Sequence, residues 1–141
     1  MAETLKRNYF DIAFPVKESD IDLLDHVNNT IYLRWAQDVA VAHWSAVATK
    51  EQQTNIIWVV TRHEIDYKSP AKLGDEIIAR TWVGKATEVI FERFTEIIRA
   101  SDKKVLAKAK TLWCPISTST GKIVRVDDDV RKRFSVPDSQ D

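Results

Sequence analysis

A chain of 141 residues with 21 basic and 21 acidic side chains is long enough to bury a core and carries no formal net charge. That balance argues against general binding to nucleic acid or to an anionic membrane, both of which need a basic excess, and leaves room only for a local phosphate-sized patch. The single cysteine, Cys114, excludes an intramolecular disulfide and metal sites built on paired cysteines.

The amino terminus, MAETLKRNYF, is polar and lacks an apolar signal core, which predicts a cytoplasmic protein. No apolar run approaches the roughly 18 residues that span a bilayer. Over residues 10–16, Phe10, Ile12, Phe14 and Val16 alternate with Asp11, Ala13 and Pro15, the period of a strand with one buried face. The stretch SDIDLLDHVNNTIYLRW, residues 19–35, then crowds carboxylates, a histidine and two asparagines in front of an amphipathic run. From Thr30 onward, Ile31, Tyr32, Trp35, Ala36, Val39, Ala40, His43, Trp44 and Val47 recur at three- and four-residue steps, predicting a helix of about five turns with a broad apolar stripe. Asn28, Asn29 and Thr30 are N-cap candidates, and KEQQTN closes the helix.

Everything after that reads as β. Ile57, Val59, Thr61, His63, Ile65 and Tyr67 share one face of a long strand that ends at the turn SPAKLGD. Residues 75–85 form a second strand, with Ile77, Ala79, Thr81 and Val83 on one face. Residues 88–99 form a third, whose apolar face slips from Val89 and Phe91 to Phe94 and Ile98, consistent with a bulge. A turn at SDKK leads into residues 105–116, and STSTGK leads into a short terminal strand around residues 123–126. The segment DDDVRKRF and the tail beyond Pro137 read as surface or a frayed end.

One strand, one long helix and four or five consecutive antiparallel strands make an α+β fold in a single domain. Its core covers about residues 8–126 and its tail about 127–141. The sheet must wrap the helix, because nothing else in the chain can cover so wide an apolar stripe. Long antiparallel strands also leave an edge that invites a second copy, so homodimerisation is expected.

The string DIDLLDHVNNTIY resembles the loop of the 4-hydroxybenzoyl-CoA thioesterase-like and acyl-ACP thioesterase families: D-x-D, a short spacer, then H-V-N-N-x-x-Y. Asp20, Asp22, His26, Val27, Asn28, Asn29 and Tyr32 fill that pattern, and HEIDYKSPAKLGD is a second family-like segment. The resemblance implies a hotdog fold, a long central helix wrapped by a five- to six-stranded antiparallel sheet. It also implies hydrolysis of an acyl thioester of CoA or acyl carrier protein, by a homodimer or a dimer of dimers. No cofactor or metal is expected, nor a nucleic-acid or membrane partner. By resemblance, Asp22 matches the catalytic carboxylate and the Asn29 backbone N–H the carbonyl-polarising donor. Trp58 matches a residue of the acyl channel, with residues 57–59 of a partner copy, Ile57 and Val59 included, completing the acyl tunnel.

The physics of the loop is compatible with that chemistry. The first N–H groups of a helix are unsatisfied and carry positive partial charge, so a carbonyl over the helix start near Asn29 would be polarised. Asp22 can fold back toward that point as general base or as nucleophile, and water exclusion would raise its basicity. Other roles are available to each residue. Asp22 and the two asparagines suit loop hydrogen bonding and capping, and Asp20 reads as an exposed turn residue. His26 can serve as base, as orienter of Asp22 or as a structural donor. Tyr32 suits the core or the acyl pocket. Asp25 departs from the glycine common before the histidine in related bacterial loops, and tilts the reading mildly toward fatty acyl substrates.

His43, on the apolar stripe, reads as a core histidine, and His63 as an inward strand residue. Lys85 is a candidate for the phosphates of the carrier, with Lys122 and Arg125 equally placed. The rival functions are a hydroxyacyl-thioester dehydratase, a non-catalytic acyl-thioester binder and a structural dimerisation module.

Overall fold

A computed structural model describes residues 9–134 and residue 136; the first eight residues and the tail beyond Val136 lie outside the described residues. Strand β1 spans Phe10–Pro15, and helix α1 spans Asn29–Val47. A short helix, α2, covers Lys50–Asn55 and leads into β2, Ile56–Tyr67. Three further strands follow, β3 at Glu76–Ala86, β4 at Phe91–Arg99 and β5 at Lys104–Ser117, and helix α3 covers Asp128–Arg133. The five strands form one antiparallel sheet in the order β1-β3-β4-β5-β2, with α1 against it. This is the hotdog arrangement. It puts β1 and β2 at the two edges.

Helix α1 buries Tyr32, Trp35, Ala36, Val39, Ala40 and His43, the stripe that its spacing predicts. At its start these side chains meet Ile77, Ala79, Ile97 and Leu106 from the sheet. The Tyr32 hydroxyl accepts the Ala71 N–H at 2.9 Å, while the Ala71 carbonyl accepts the Val27 N–H at 2.9 Å. The segment after β2 is thereby tied to the loop ahead of α1. Burial pushes the Tyr32 phenol up, so it stays neutral. Tyr32→Phe strands the buried Ala71 N–H and should cost about 1–3 kcal/mol in urea unfolding.

Four parts of the fold differ from expectation. The segment KEQQTN does not close α1: the helix ends at Val47, and Thr49 and Gln52 form a reciprocal capping box that starts α2. In β2 the register against β5 slips between Val60 and Arg62, so Thr61 is an extra residue. The bulge splits the expected single face. Trp58 and Val60 face inward before it and His63 and Ile65 after it, while Ile57 and Val59 are left 55% and 46% exposed. In β4 the inner face does not slip at Phe94: Phe91, Arg93, Thr95 and Ile97 alternate inward, and Phe94 stacks on Trp82 across the other face with centroids 5.7 Å apart.

The fourth difference is at the carboxyl end. Where a strand around residues 123–126 was expected there is a single bridge, Ile116 with Ile123, followed by α3. Asp127 caps α3 by accepting the Val130 N–H, and its acidic first turn and basic last turn suit the helix dipole. Val126, Val130 and Phe134 are buried, and Phe134 stacks on Trp44 with centroids 5.5 Å apart. This segment is part of a second core cluster, not surface.

Candidate active site

The loop between β1 and α1 is built on its own carboxylates. A single 3-10 turn, Glu18–Asp20, swings Asp20 inward, and the residue is only 2% exposed. Its carboxylate accepts the Lys17 N–H at 3.0 Å and an Arg34 Nη2–H at 3.0 Å, while its backbone oxygen accepts the Asn28 N–H at 2.9 Å. Asp20 is therefore not the exposed turn residue that its alternation with Asp22 suggested. It ties the loop to the first turns of α1 through Arg34.

Beyond Asp20, a bridge between Ile21 and Val27 closes a tight loop, with the Asp22 N–H donated to the His26 carbonyl at 2.8 Å. The Asp22 side chain holds this loop from inside. Its Oδ1 accepts the backbone N–H of Leu24 at 2.9 Å and of His26 at 3.3 Å. Its Oδ2 has no hydrogen-bond partner among the described residues. One oxygen is thus engaged by the loop backbone and the other is not. Asp25 sits at φ +61°, the left-handed region that glycine enters at no steric cost and that aspartate tolerates. His26 is partly buried, and no hydrogen bond to its ring is made among the described residues.

Asn28 is the N-cap of α1: its Oδ1 accepts the Thr30 N–H at 3.0 Å and the Thr30 hydroxyl at 2.9 Å. Asn29, the first helical residue, is exposed, and its N–H has no acceptor among the described residues. Its carbonyl accepts the Tyr67 hydroxyl at 3.1 Å. No acidic residue lies in the first turn of α1, so its positive end is not neutralised from within the helix. Asp22, His26, Asn28 and Asn29 are brought together in this one loop and helix start.

The expected binding residues are dispersed. Tyr32 is 2% exposed and packs in the core, so its hydroxyl serves Ala71 and not an open pocket. Ile57 and Trp58 line a cavity of about 350 Å³ between α1, α3 and the sheet, walled by Trp44, Phe91, Trp113 and Phe134. Val59 is not in its lining and points outward from β2. Lys85 is exposed near the end of β3 and does not itself line the cavity, although its N–H is donated at 3.2 Å to Oε1 of Glu92, which does. Arg125 faces Glu88 at 3.5 Å.

Residues missed in the sequence complete the cavity. Phe134 and Val130 arrive with α3, and the signal was present: Val126, Val130 and Phe134 at four-residue spacing, with a capping Asp127 just after the first of them. Arg93 carries no such signal. His43 is buried, as its place on the stripe predicted, and lies stacked on Phe10 with centroids 4.9 Å apart. Burial, and then the neighbouring Arg93 charge, push it down to about 4, so it is neutral near pH 7. Its Nδ1 accepts Arg93 Nη1–H at 2.9 Å.

Comparison with known proteins agrees with this architecture. A chloroplastic acyl-(acyl-carrier-protein) hydrolase of Cuphea viscosissima is 27% identical over 80 residues, 57% of this chain and 19% of that protein. The chain thus matches about a fifth of the length of that relative. Among solved structures, a 1,4-dihydroxy-2-naphthoyl-CoA thioesterase from Synechocystis superposes with a TM-score of 0.79 at 19% identity, covering 91% of this chain and 96% of that one. The 12:0-ACP thioesterase from Umbellularia californica superposes with a TM-score of 0.75 at 17% identity, covering 90% of this chain and 49% of that one. The family model described as the thioesterase-like superfamily matches residues 16–134, from the end of β1 to the last turn of α3. A match over that span shows the family: the chain belongs to the thioesterase-like superfamily.

Proposed function

We propose that the protein hydrolyses an acyl thioester, carried by CoA or by acyl carrier protein, to the free acid and the thiol. One observation carries the reading: a carboxylate fixed through Oδ1 by two backbone amides lies in the loop that ends at an α-helix start with an unengaged N–H. The thioester carbonyl sits over the Asn29 N–H, where the helix end offers partial positive charge before the oxyanion forms. Asp22 Oδ2 takes a proton from water as the water oxygen adds to the carbonyl carbon. Collapse of the tetrahedral species then breaks the C–S bond, and the thiolate leaves and is protonated. In the alternative course, Oδ2 itself adds to the carbonyl, the C–S bond breaks and the thiolate leaves and is protonated, and water then hydrolyses the mixed anhydride to the free acid and the Asp22 carboxylate. The His26 backbone, bonded to Asp22 through both its N–H and its carbonyl, holds the loop in either course.

The acyl group occupies the aromatic cavity, but in the second copy of a dimer. Along α1, Asn29 and Trp44 are about 22 Å apart at ~1.5 Å per residue, so the helix start and the cavity of one chain lie at opposite ends. The edge position of β2, with its exposed Ile57 and Val59, supports pairing of two copies there. A homodimer, or a dimer of dimers, of a cytoplasmic enzyme acting on fatty or aromatic acyl groups fits this arrangement.

The test is product identification by mass spectrometry after incubation with acyl-CoA and 3-hydroxyacyl-CoA esters. Free acid and CoA are expected. An enoyl thioester would mark a dehydratase, and an unchanged ester that nevertheless raises Tm would mark a binder.

A further inference from the structure

Arg93 lies on the inner face of β4 and lines the aromatic cavity. One of its terminal nitrogens, Nη1, is donated to two neutral acceptors, His43 Nδ1 at 2.9 Å and Thr81 Oγ1 at 3.1 Å. Thr81 in turn donates its hydroxyl to the Phe94 carbonyl at 2.8 Å. No carboxylate pairs with Arg93 among the described residues. Its Nε and Nη2 have no partner there either, yet neither is among the buried orphan atoms, which among the described residues are the indole nitrogens of Trp58 and Trp113. Those guanidinium N–H groups are therefore not fully sealed in the core, and Arg93 is one of the residues that line the cavity. The one carboxylate in the cavity lining is Glu92, on the next residue and hence the opposite face of the strand. It is already engaged by Lys110 Nζ at 3.2 Å and the Lys85 N–H.

An arginine enclosed by Trp44, Trp58, Phe91 and Phe134 without an anion carries an unmet electrostatic demand. Burial draws its pKa down to about 10, which still leaves it charged at neutral pH. The unpartnered N–H groups of the guanidinium are the charged polar capacity left in the cavity lining, beside the neutral amide of Gln53, whose Nε2 already donates to the Ser45 and Ala48 carbonyls. A carboxylate accepts two parallel N–H bonds from such a fork and cancels its charge.

We infer that this cavity takes an acyl group whose far end bears a carboxylate, and that Arg93 is the residue that selects it. The walls hold the apolar or aromatic middle of the chain, and the guanidinium holds the terminal anion. The word acyl rests on the hydrolase reading above, whereas the carboxylate preference of the cavity does not.

The experiment has two arms. In the first, kcat/KM is compared for acyl-CoA esters of equal chain length with and without a terminal carboxylate, for wild type and Arg93→Met. Wild type is expected to favour the carboxylated ester at least tenfold, and that ratio should fall at least tenfold in the variant. A wild-type ratio of one or less, or a ratio unchanged in Arg93→Met, would overturn the inference. The second arm needs no variant and no turnover: the shift in Tm of the wild-type protein with 4-phenylbutyrate against 4-phenylbutanol. The acid should raise Tm by several degrees more than the alcohol at equal concentration, and equal shifts would overturn the inference. Hydrolysis without any carboxylate preference would leave the hydrolase reading intact and remove this one. An acid-selective rise in Tm without turnover of any ester would do the reverse.

Discussion

Asp22→Asn should lower kcat for thioester hydrolysis by about a hundredfold or more and leave Tm almost unchanged. The amide keeps an Oδ1 that accepts the Leu24 and His26 N–H groups, so the loop stays in place. It loses only the charge and basicity of the free oxygen. Asp22→Ala should lose the same activity and, in addition, about 1–2 kcal/mol of stability, because two backbone amides lose their acceptor. The pair of variants separates the two roles that a loop aspartate can have. A purely structural Asp22 would give an active asparagine variant and an alanine variant that is merely less stable. Thiol release and a thermal melt on both proteins check this.

The second large effect is acid lability. His43 has a folded-state pKa of about 4 against an ordinary 6.5. Between those values the unfolded chain binds a proton that the native protein does not, so stability falls as pH drops through that window. The full difference is roughly 3 kcal/mol, present above pH 6.5 and gone by about pH 4. The carboxylates held low act elsewhere: Asp102, bonded to Arg99 and to the Lys104 N–H, sits at about 2 and loses its contribution only at more acid pH. Urea midpoints from pH 7 to pH 4 should therefore decline through His43, with His63, which burial also holds down, adding to the slope. His43→Phe should flatten that slope, with a lower stability at neutral pH, because Arg93 Nη1 loses an acceptor.

How much of this was legible in the sequence follows from which signals are local. The β1 alternation, the α1 stripe and the crowded loop before it each lie within one short window, and each forms where the spacing put it. That the cap lies among Asn28, Asn29 and Thr30 was legible for the same reason, and the fold selects Asn28. What was lost depended on partners far along the chain. Thr61 looks like a regular strand residue until β5 pairs with it out of step, and that single insertion turned Ile57 and Val59 outward. Arg93 and Thr95 hide the inner face of β4, because polar side chains in a core break the apolar pattern even where the pleat is regular. Asp20 seemed exposed because its partner, Arg34, is 14 residues away on α1. Helix α3 was a different kind of miss: its cap and spacing were visible, but its charges were taken for surface. The candidate site was readable as a string of residues, and its geometry was not, because the assignment of each Asp22 oxygen depends on the fold of the loop.

The most direct test of the account is the rate of thiol release from a panel of short-chain, long-chain and aromatic acyl-CoA esters, followed by acyl-carrier-protein esters, with the folded wild-type protein. A protein-only blank corrects for Cys114. Turnover of at least one class of ester is expected, lost in Asp22→Asn. No thiol released from any CoA or carrier-protein ester by a correctly folded protein, or release that is undiminished in Asp22→Asn, would contradict it.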